Sequence, residues 1–194
     1  TENVHGDTAN IIPNLHAVYP INSKLSTAIG ISVPFGDDVE YDPQSEVADY
    51  ATTTRIIVVN INPSFAYRLN KKLGIGAGLN VLHGDFKWDN SLLTNNLNGT
   101  SMAFNLGALY QMNPHNTVGL SYRSASTIKA KGISYVNFNP SLRSDNARSN
   151  FPIPASTILS LYHVASSKIS IMSSLFYTQW GSFKSATIKN TAIQ

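Results

Sequence analysis

The side chains of this sequence that can do chemistry are few and scattered. The five histidines are His5, His16, His83, His115 and His163. No two stand at a spacing that would turn a pair of ring nitrogens onto one metal ion from a single element, so no metal site is expected. No Gly-x-Ser-x-Gly motif is present to lift a nucleophilic serine onto a strand-to-helix turn. A Ser/His pair would have to be assembled in space, and nothing in the order of residues points to one. Catalysis is therefore not expected, and no cofactor is called for. Gly74, Gly76 and Gly78 invite comparison with a dinucleotide fingerprint, which needs a tight turn opening a helix. Here the glycines alternate with Leu73, Ile75, Ala77 and Leu79. All three then share one face of a strand, where they thin the wall and leave room beside it.

Composition narrows the classes further. The chain has 194 residues, 13% of them charged, a net charge of +3 and a pI near 9.1. The 14 lysines and arginines are spread along the chain rather than gathered in the patch that a nucleic-acid binder presents, so no nucleic acid is expected. There is no cysteine, hence no disulfide scaffold or thiolate site. Apolar stretches such as Ile56-Ile57-Val58-Val59 are far shorter than the ~20 residues a membrane helix needs. The first residues lack the charged-then-apolar pattern of a signal peptide, so the sequence is expected to be a mature chain or a piece of one.

The elements that must position these residues are strands. Apolar and small or polar residues alternate with period 2. Leu25, Thr27, Ile29, Ile31, Val33 and Phe35 oppose Ser26, Ala28, Gly30 and Ser32, and Met102, Phe104, Leu106, Ala108 and Tyr110 oppose Ala103, Asn105 and Gly107. Eight strands are expected, near 11–19, 25–35, 54–68, 73–88, 101–112, 117–132, 155–164 and 169–186. Short turns centre on Asn22-Ser23, Asn70-Lys71, Pro114-His115 and Ser166-Ser167, and long loops fall near 36–53, 89–100 and 133–154. Short connections on one side and long ones on the other are the mark of an antiparallel transmembrane β-barrel, with periplasmic turns and extracellular loops. No domain boundary interrupts residues 1–194.

Tyr19, Tyr67, Tyr110 and Tyr162 each precede a short turn and are expected on the apolar faces of their strands. Facing lipid, they would form an interfacial girdle, with rings in the apolar layer and hydroxyls at the water. In a soluble sheet they would be core tyrosines instead.

Several segments then resemble one family. Ile12-Pro13-Asn14-Leu15-His16 with Tyr19-Pro20-Ile21-Asn22, Gly30-Ile31-Ser32-Val33-Pro34-Phe35-Gly36, and Asn62-Pro63-Ser64-Phe65-Ala66-Tyr67-Arg68-Leu69-Asn70 followed by Gly76-Ala77-Gly78 resemble successive strands of the FadL family. Leu120-Ser121-Tyr122-Arg123-Ser124 and Tyr177-Thr178-Gln179-Trp180 resemble later ones, and the resemblance covers roughly residues 8–190.

The resemblance implies a bacterial outer-membrane barrel of about 14 strands, of which this chain holds about strands two to nine. The N-terminal hatch with its Asn-Pro-Ala signature, and the first and last strands, are expected to lie outside it. The function implied is passive uptake of long-chain fatty acids or other hydrophobic compounds by a monomer set in outer-membrane lipid and lipopolysaccharide. Pro34, Phe35 and Gly36 fall at the family's inward kink, beside which substrate leaves sideways into lipid. Alternatively, Pro34 simply ends a strand before a loop. Gly74, Gly76 and Gly78 would make room in the lumen for a hatch or ligand. Lys87, Trp88 and Arg123 are candidates for substrate binding, with Lys129, Lys131, Arg143 and Arg148 at the same end. The family's lumenal arginine in the strand of Lys87 has its counterpart at Asn90, which cannot neutralise a carboxylate. Asp37, Asp38, Glu40 and Asp42 could hold divalent ions near lipopolysaccharide, or form a solvated loop. A general diffusion porin is the alternative reading, but it calls for a charged, water-filled lumen. A structural or adhesive barrel would act through larger loops than these.

Overall fold

The structure, a computed structural model, describes residues 12–41, 51–182 and 187–193. Ten strands account for most of it: β1 (Leu15–Pro20), β2 (Leu25–Glu40), β3 (Thr53–Arg68), β4 (Leu73–Asp89), β5 (Leu93–Asn113), β6 (Asn116–Arg123), β7 (Ser126–Val136), β8 (Asn139–Ile153), β9 (Ser156–Val164) and β10 (Ser170–Thr178). A single 3-10 turn, Trp180–Ser182, follows. All ten strands belong to one antiparallel sheet ordered β1-β2-β3-β4-β5-β6-β9-β10, with β7 and β8 paired to each other and β7 to the first part of β5. Among the described residues β1 and β10 are each paired on one side only, so the sheet is an open curved wall.

The ten strands form eight staves, the number that alternation predicts, but the last, expected as far as 186, ends at Thr178 before the 3-10 turn. β6 and β7 are one stave interrupted at Ser124–Ala125, and β8 and β9 are one interrupted at Pro154–Ala155. Arg123 pairs with Ser156 and Ser126 with Ile153, so the two interruptions face each other. Short turns close the lower end. Asn22 Oδ1 accepts from the N–H groups of Lys24 and Leu25, and Asn70 Oδ1 from those of Lys72 and Leu73, all at 2.8–3.0 Å. An asparagine amide that satisfies two turn donors fixes a tight reversal without help from the rest of the fold.

The upper end differs from expectation. The long loops expected near 89–100 and 133–154 are largely strand: β5 starts at Leu93 and β8 runs through Asn139–Ile153. Asn90 Oδ1 caps the β4–β5 turn, accepting from Leu92 and Leu93 N–H at 2.9 and 2.7 Å. Above the membrane band the outer face is no longer apolar, so Leu93-Thr94-Asn95-Asn96 loses the alternation that marks a strand although it pairs as one. The third expected loop is shortened by β2 reaching Glu40. Asp42 lies outside the described residues.

Side chains on one face line the concavity; the other face carries large exposed apolar groups, among them Met102 (71% exposed), Leu175 (69%) and Phe65 (59%). A contiguous apolar surface of this extent is the mark of a face that meets lipid. Tyr19, Tyr67 and Tyr110 lie on it, paired with Thr27, Leu25 and Val118. Tyr162 does not. It pairs with Thr117 and Met172 and donates to or accepts from Ser170 Oγ at 3.1 Å, on the face of Ser160 and Ile158 that lines the concavity. Ile158-Leu159-Ser160-Leu161-Tyr162 is apolar at both parities, and pairing decides in favour of Leu159 and Leu161 outward. The buried core sits inside the upper half: Val58, Leu82, Phe86, Leu97, Ile128, Ala147 and Ile153 pack together there.

Candidate functional site

The site begins with a miscount in β2. Ser32 pairs with Asn60 and Phe35 with Val58, so Val33 and Pro34 oppose Val59 alone. Two residues against one is a β-bulge, and proline, having no N–H to give a ladder, fits one without loss. Pairing then resumes as far as Glu40–Thr53, so Pro34 does not end the strand. The extra residue inverts the alternation. Phe35, which shares its sequence phase with Ile29 and Ile31, is carried to the opposite face beside Val58.

There it joins an apolar pocket of about 270 Å³. Ile56 and Val58 of β3, Phe86 and Trp88 of β4 and Leu97 of β5 form its floor, while Phe35, the segment Phe151–Pro154 and Trp180 form its sides. The Phe35 and Trp180 rings meet edge to face at 6.2 Å, and Phe86 stacks on Phe151 at 3.6 Å. The double interruption at Ser124–Ala125 and Pro154–Ala155 inverts the alternation in the β6–β7 and β8–β9 staves as well. Arg123 and Ser156 face inward below it, and Ile128 and Ile153 above it.

The candidate binding residues fall at different places. Trp88 lines the pocket. Lys87 reaches its rim but belongs by alternation to the face opposite Phe86, and its Nζ lies 2.8 Å from Asp89 Oδ2. That hydrogen bond holds the Lys87 pKa above the ordinary lysine value, with burial opposing it. Arg55, also on the rim, is 3.6 Å from Asp38. Arg123 points inward beneath the pocket, its guanidinium carbon 5.9 Å from the centre of the Phe35 ring, a cation–π arrangement. The Arg123 Nε is buried and has no hydrogen-bond partner. Of the basic candidates, Arg123 therefore keeps donor capacity toward the interior, whereas Lys87 is already engaged.

Below the pocket lies a feature the sequence did not announce. Asn62 Nδ2 donates to Asn105 Oδ1 (2.7 Å), Asn80 Nδ2 to Asn105 Oδ1 (3.0 Å) and Asn60 Nδ2 to Asn80 Oδ1 (3.1 Å). This polar layer crosses β3, β4 and β5 at Gly78. A Cβ there would lie 2.8 Å from Ser64 Cβ and 2.9 Å from Asn105 Oδ1. The space that Gly78 opens is thus filled by amides, while Gly74 and Gly76 line the open concavity below. Asparagines on the inner parity of three strands were visible in the sequence; that register would bring them together was not. Among the described residues no cluster of His, Asp or Glu is arranged to hold a metal.

A family profile described as outer membrane protein transport protein (OMPP1/FadL/TodX) matches residues 2–193. The chain is 27% identical to a long-chain fatty acid transport protein of Salmonella typhi, over 93% of this chain and 51% of that protein. It is 25% identical to outer membrane protein P1 of Haemophilus influenzae, over 87% and 46%. It thus spans about half the length of the curated relatives it matches. In shape it is similar to a Pseudomonas aeruginosa FadL homologue, with a TM-score of 0.83 at 21% identity over 92% of this chain and 50% of that one. The toluene transporter TbuX of Ralstonia pickettii gives 0.71 at 16% identity, over 91% and 57%.

Proposed function

Since the chain belongs to the outer membrane protein transport (OMPP1/FadL/TodX) family, we propose that it forms part of the wall of a monomeric bacterial outer-membrane barrel that takes up long-chain fatty acids or other hydrophobic compounds passively. The apolar, aromatic-lined pocket inside the upper wall is the observation that carries this reading. A porin would need charge along this lining; Arg55 and Lys87 stand only at the rim, each paired with a carboxylate, and the rest is lined by Phe35, Ile56, Val58, Phe86, Trp88 and Phe151.

In this reading the acyl or aryl part of the substrate lies against Phe86 and Trp88. A carboxylate, where the substrate has one, is met by Arg123, whose Nε is unpaired; Lys87 is held by Asp89 and acts at the rim. The bulge at Val33–Pro34 supplies the weak point of the wall through which cargo leaves into lipid. Each methylene kept from water contributes ~0.8 kcal/mol, so sideways release into the bilayer costs far less than release into the periplasm. Tyr19, Tyr67 and Tyr110 then mark the lower interface of a barrel bounded by outer-membrane lipid and lipopolysaccharide.

The test is uptake of a fluorescent long-chain fatty acid by cells whose sole carrier is the full-length protein. Phe86→Asp should abolish uptake while the barrel still assembles. Arg123→Gln should lower uptake of the acid much more than that of the matching alcohol, and Lys87→Gln should affect both little. Normal uptake by assembled Phe86→Asp would remove the pocket from the route.

A further inference from the structure

One row of residues on the outer face runs Asp85, Asn98, Lys131, Arg148, Lys189; the first four are paired across neighbouring strands, and Lys189 joins Arg148 through an isolated bridge. Its last three members are all cationic and exposed. Neighbouring strands lie about 4.8 Å apart, so three positive charges stand within roughly 10 Å. Lys129 is on the same face two residues below Lys131. Like charges directly opposite each other in a sheet are unfavourable. Other cations of the upper wall are balanced: Arg55 by Asp38, Lys87 by Asp89 and Arg143 by Asp145. Among the described residues no carboxylate forms an ion pair with Lys129, Lys131, Arg148 or Lys189. Asp85, at the far end of the row, is 3.7 Å from His83.

The height of the row gives the imbalance a meaning. On the outer face of β4 the apolar series Ile75, Leu79, Val81 stops and His83 and Asp85 follow; on β5, Leu106, Phe104 and Met102 give way to Thr100 and Asn98. His83 pairs with Thr100, and Lys129 flanks Gly99 beside it. The cations therefore occupy the first two polar levels above the lipid-facing band, where the headgroups of the outer leaflet lie.

We propose that Lys129, Lys131, Arg148 and Lys189 form a docking surface for the phosphate groups of lipopolysaccharide. This rests on the outer-membrane placement above and adds to it a specific lipid contact. A phosphorylated glycolipid fits because it carries more than one phosphate, held by its acyl chains at the level of the row. It supplies the counter-charge that, among the described residues, no ion pair gives these four cations.

The test uses the full-length protein purified in detergent, with native mass spectrometry against bisphosphorylated lipid A, enzymatically dephosphorylated lipid A and inorganic phosphate. Wild type should prefer the bisphosphorylated form. Lys131→Gln with Arg148→Gln should weaken that binding about fivefold per charge removed, and Arg143→Gln, which only breaks the pair with Asp145, should leave it unchanged. Lys131→Glu should abolish the preference yet raise the thermal midpoint in lipid-free detergent, because it replaces a repulsive cross-strand pair with an attractive one. Equal binding of both lipid A forms, no loss in the double variant, or inorganic phosphate displacing lipid A at millimolar concentration would each overturn the proposal. Fractionation reads the premise separately: wild type absent from the outer membrane overturns both readings, and correct fractionation without the binding loss overturns only this one.

Discussion

Deleting Pro34 outright is the perturbation that isolates the bulge. Substitution cannot do so, because the defect is one of count: Val33 and Pro34 oppose Val59 whatever their side chains. Removing one of the two leaves Val33 opposite Val59. Every later pair, from Phe35–Val58 to Glu40–Thr53, keeps its register, so Phe35 stays in the pocket against Trp180. The healed ladder gains one or two backbone hydrogen bonds at about 0.5–1.5 kcal/mol each. The deletion should therefore stabilise the barrel by about 1 kcal/mol, read as a rise in the urea midpoint in lipid vesicles. If the bulge is the exit, uptake of a long-chain fatty acid should fall at least about tenfold, which corresponds to ~1.4 kcal/mol on the barrier. Pro34→Val, which keeps the extra residue, should alter uptake less than about twofold by the same relation. Full uptake by a correctly assembled deletion variant would refute the argument, and so would loss of uptake in Pro34→Val.

Three further outcomes follow from the packing. Phe151→Ala removes the ring stacked on Phe86 and should cost about 3 kcal/mol, read from the urea midpoint, with a weaker grip on hydrophobic ligand. Asn80→Ala takes away the acceptor of Asn60 and a donor to Asn105. It strands buried amides and should cost about 1–3 kcal/mol in the same assay. Gly132→Ala drives a Cβ into the Asn96 carbonyl oxygen and to within 2.8 Å of Leu97 Cα. Backbone cannot yield as a flexible side chain can, so a loss of about 3 kcal/mol is expected, with faster amide exchange confined to Leu93–Asn98 and Ser126–Val136. Protection there equal to wild type would contradict it.

Much of the wall was legible because a lipid-facing strand writes itself twice, in the period-2 pattern and in the asparagine turns that end it. What was not legible lies where one of those records fails. Leu93–Gly99 and Asn139–Arg148 pair as strands, but above the membrane neither face needs to be apolar. Tyr162 sits in a segment apolar at both parities, so only pairing with Thr117 and Met172 assigns its face. Pro34 was recognisable as a defect. That the defect swings Phe35 inward required the register with β3, and the same is true of the asparagine layer. Lys87 and Arg123 were both visible as cations, but only the fold engages one with Asp89 and leaves the other with a buried, unpaired nitrogen.

The distribution of interruptions also has a mechanical consequence. β3, β4 and β5 hold a single register with one another from end to end, whereas β2, the β6–β7 stave and the β8–β9 stave are each broken partway up. A sheet flexes where its register shifts or its strands part, so the three strands that share one register act as a stiff plank with a hinge on either side. The pocket straddles this division. Ile56, Val58, Phe86, Trp88 and Leu97 ride on the plank, while Phe35 follows one hinge directly and Phe151–Pro154 leads straight into the other. A few degrees of swing at either hinge moves an aromatic or proline jaw against a fixed bed. In the uptake reading proposed above, such a swing would fit the bore of the pocket to the girth of the cargo while the lipid-facing surface of the plank stays still.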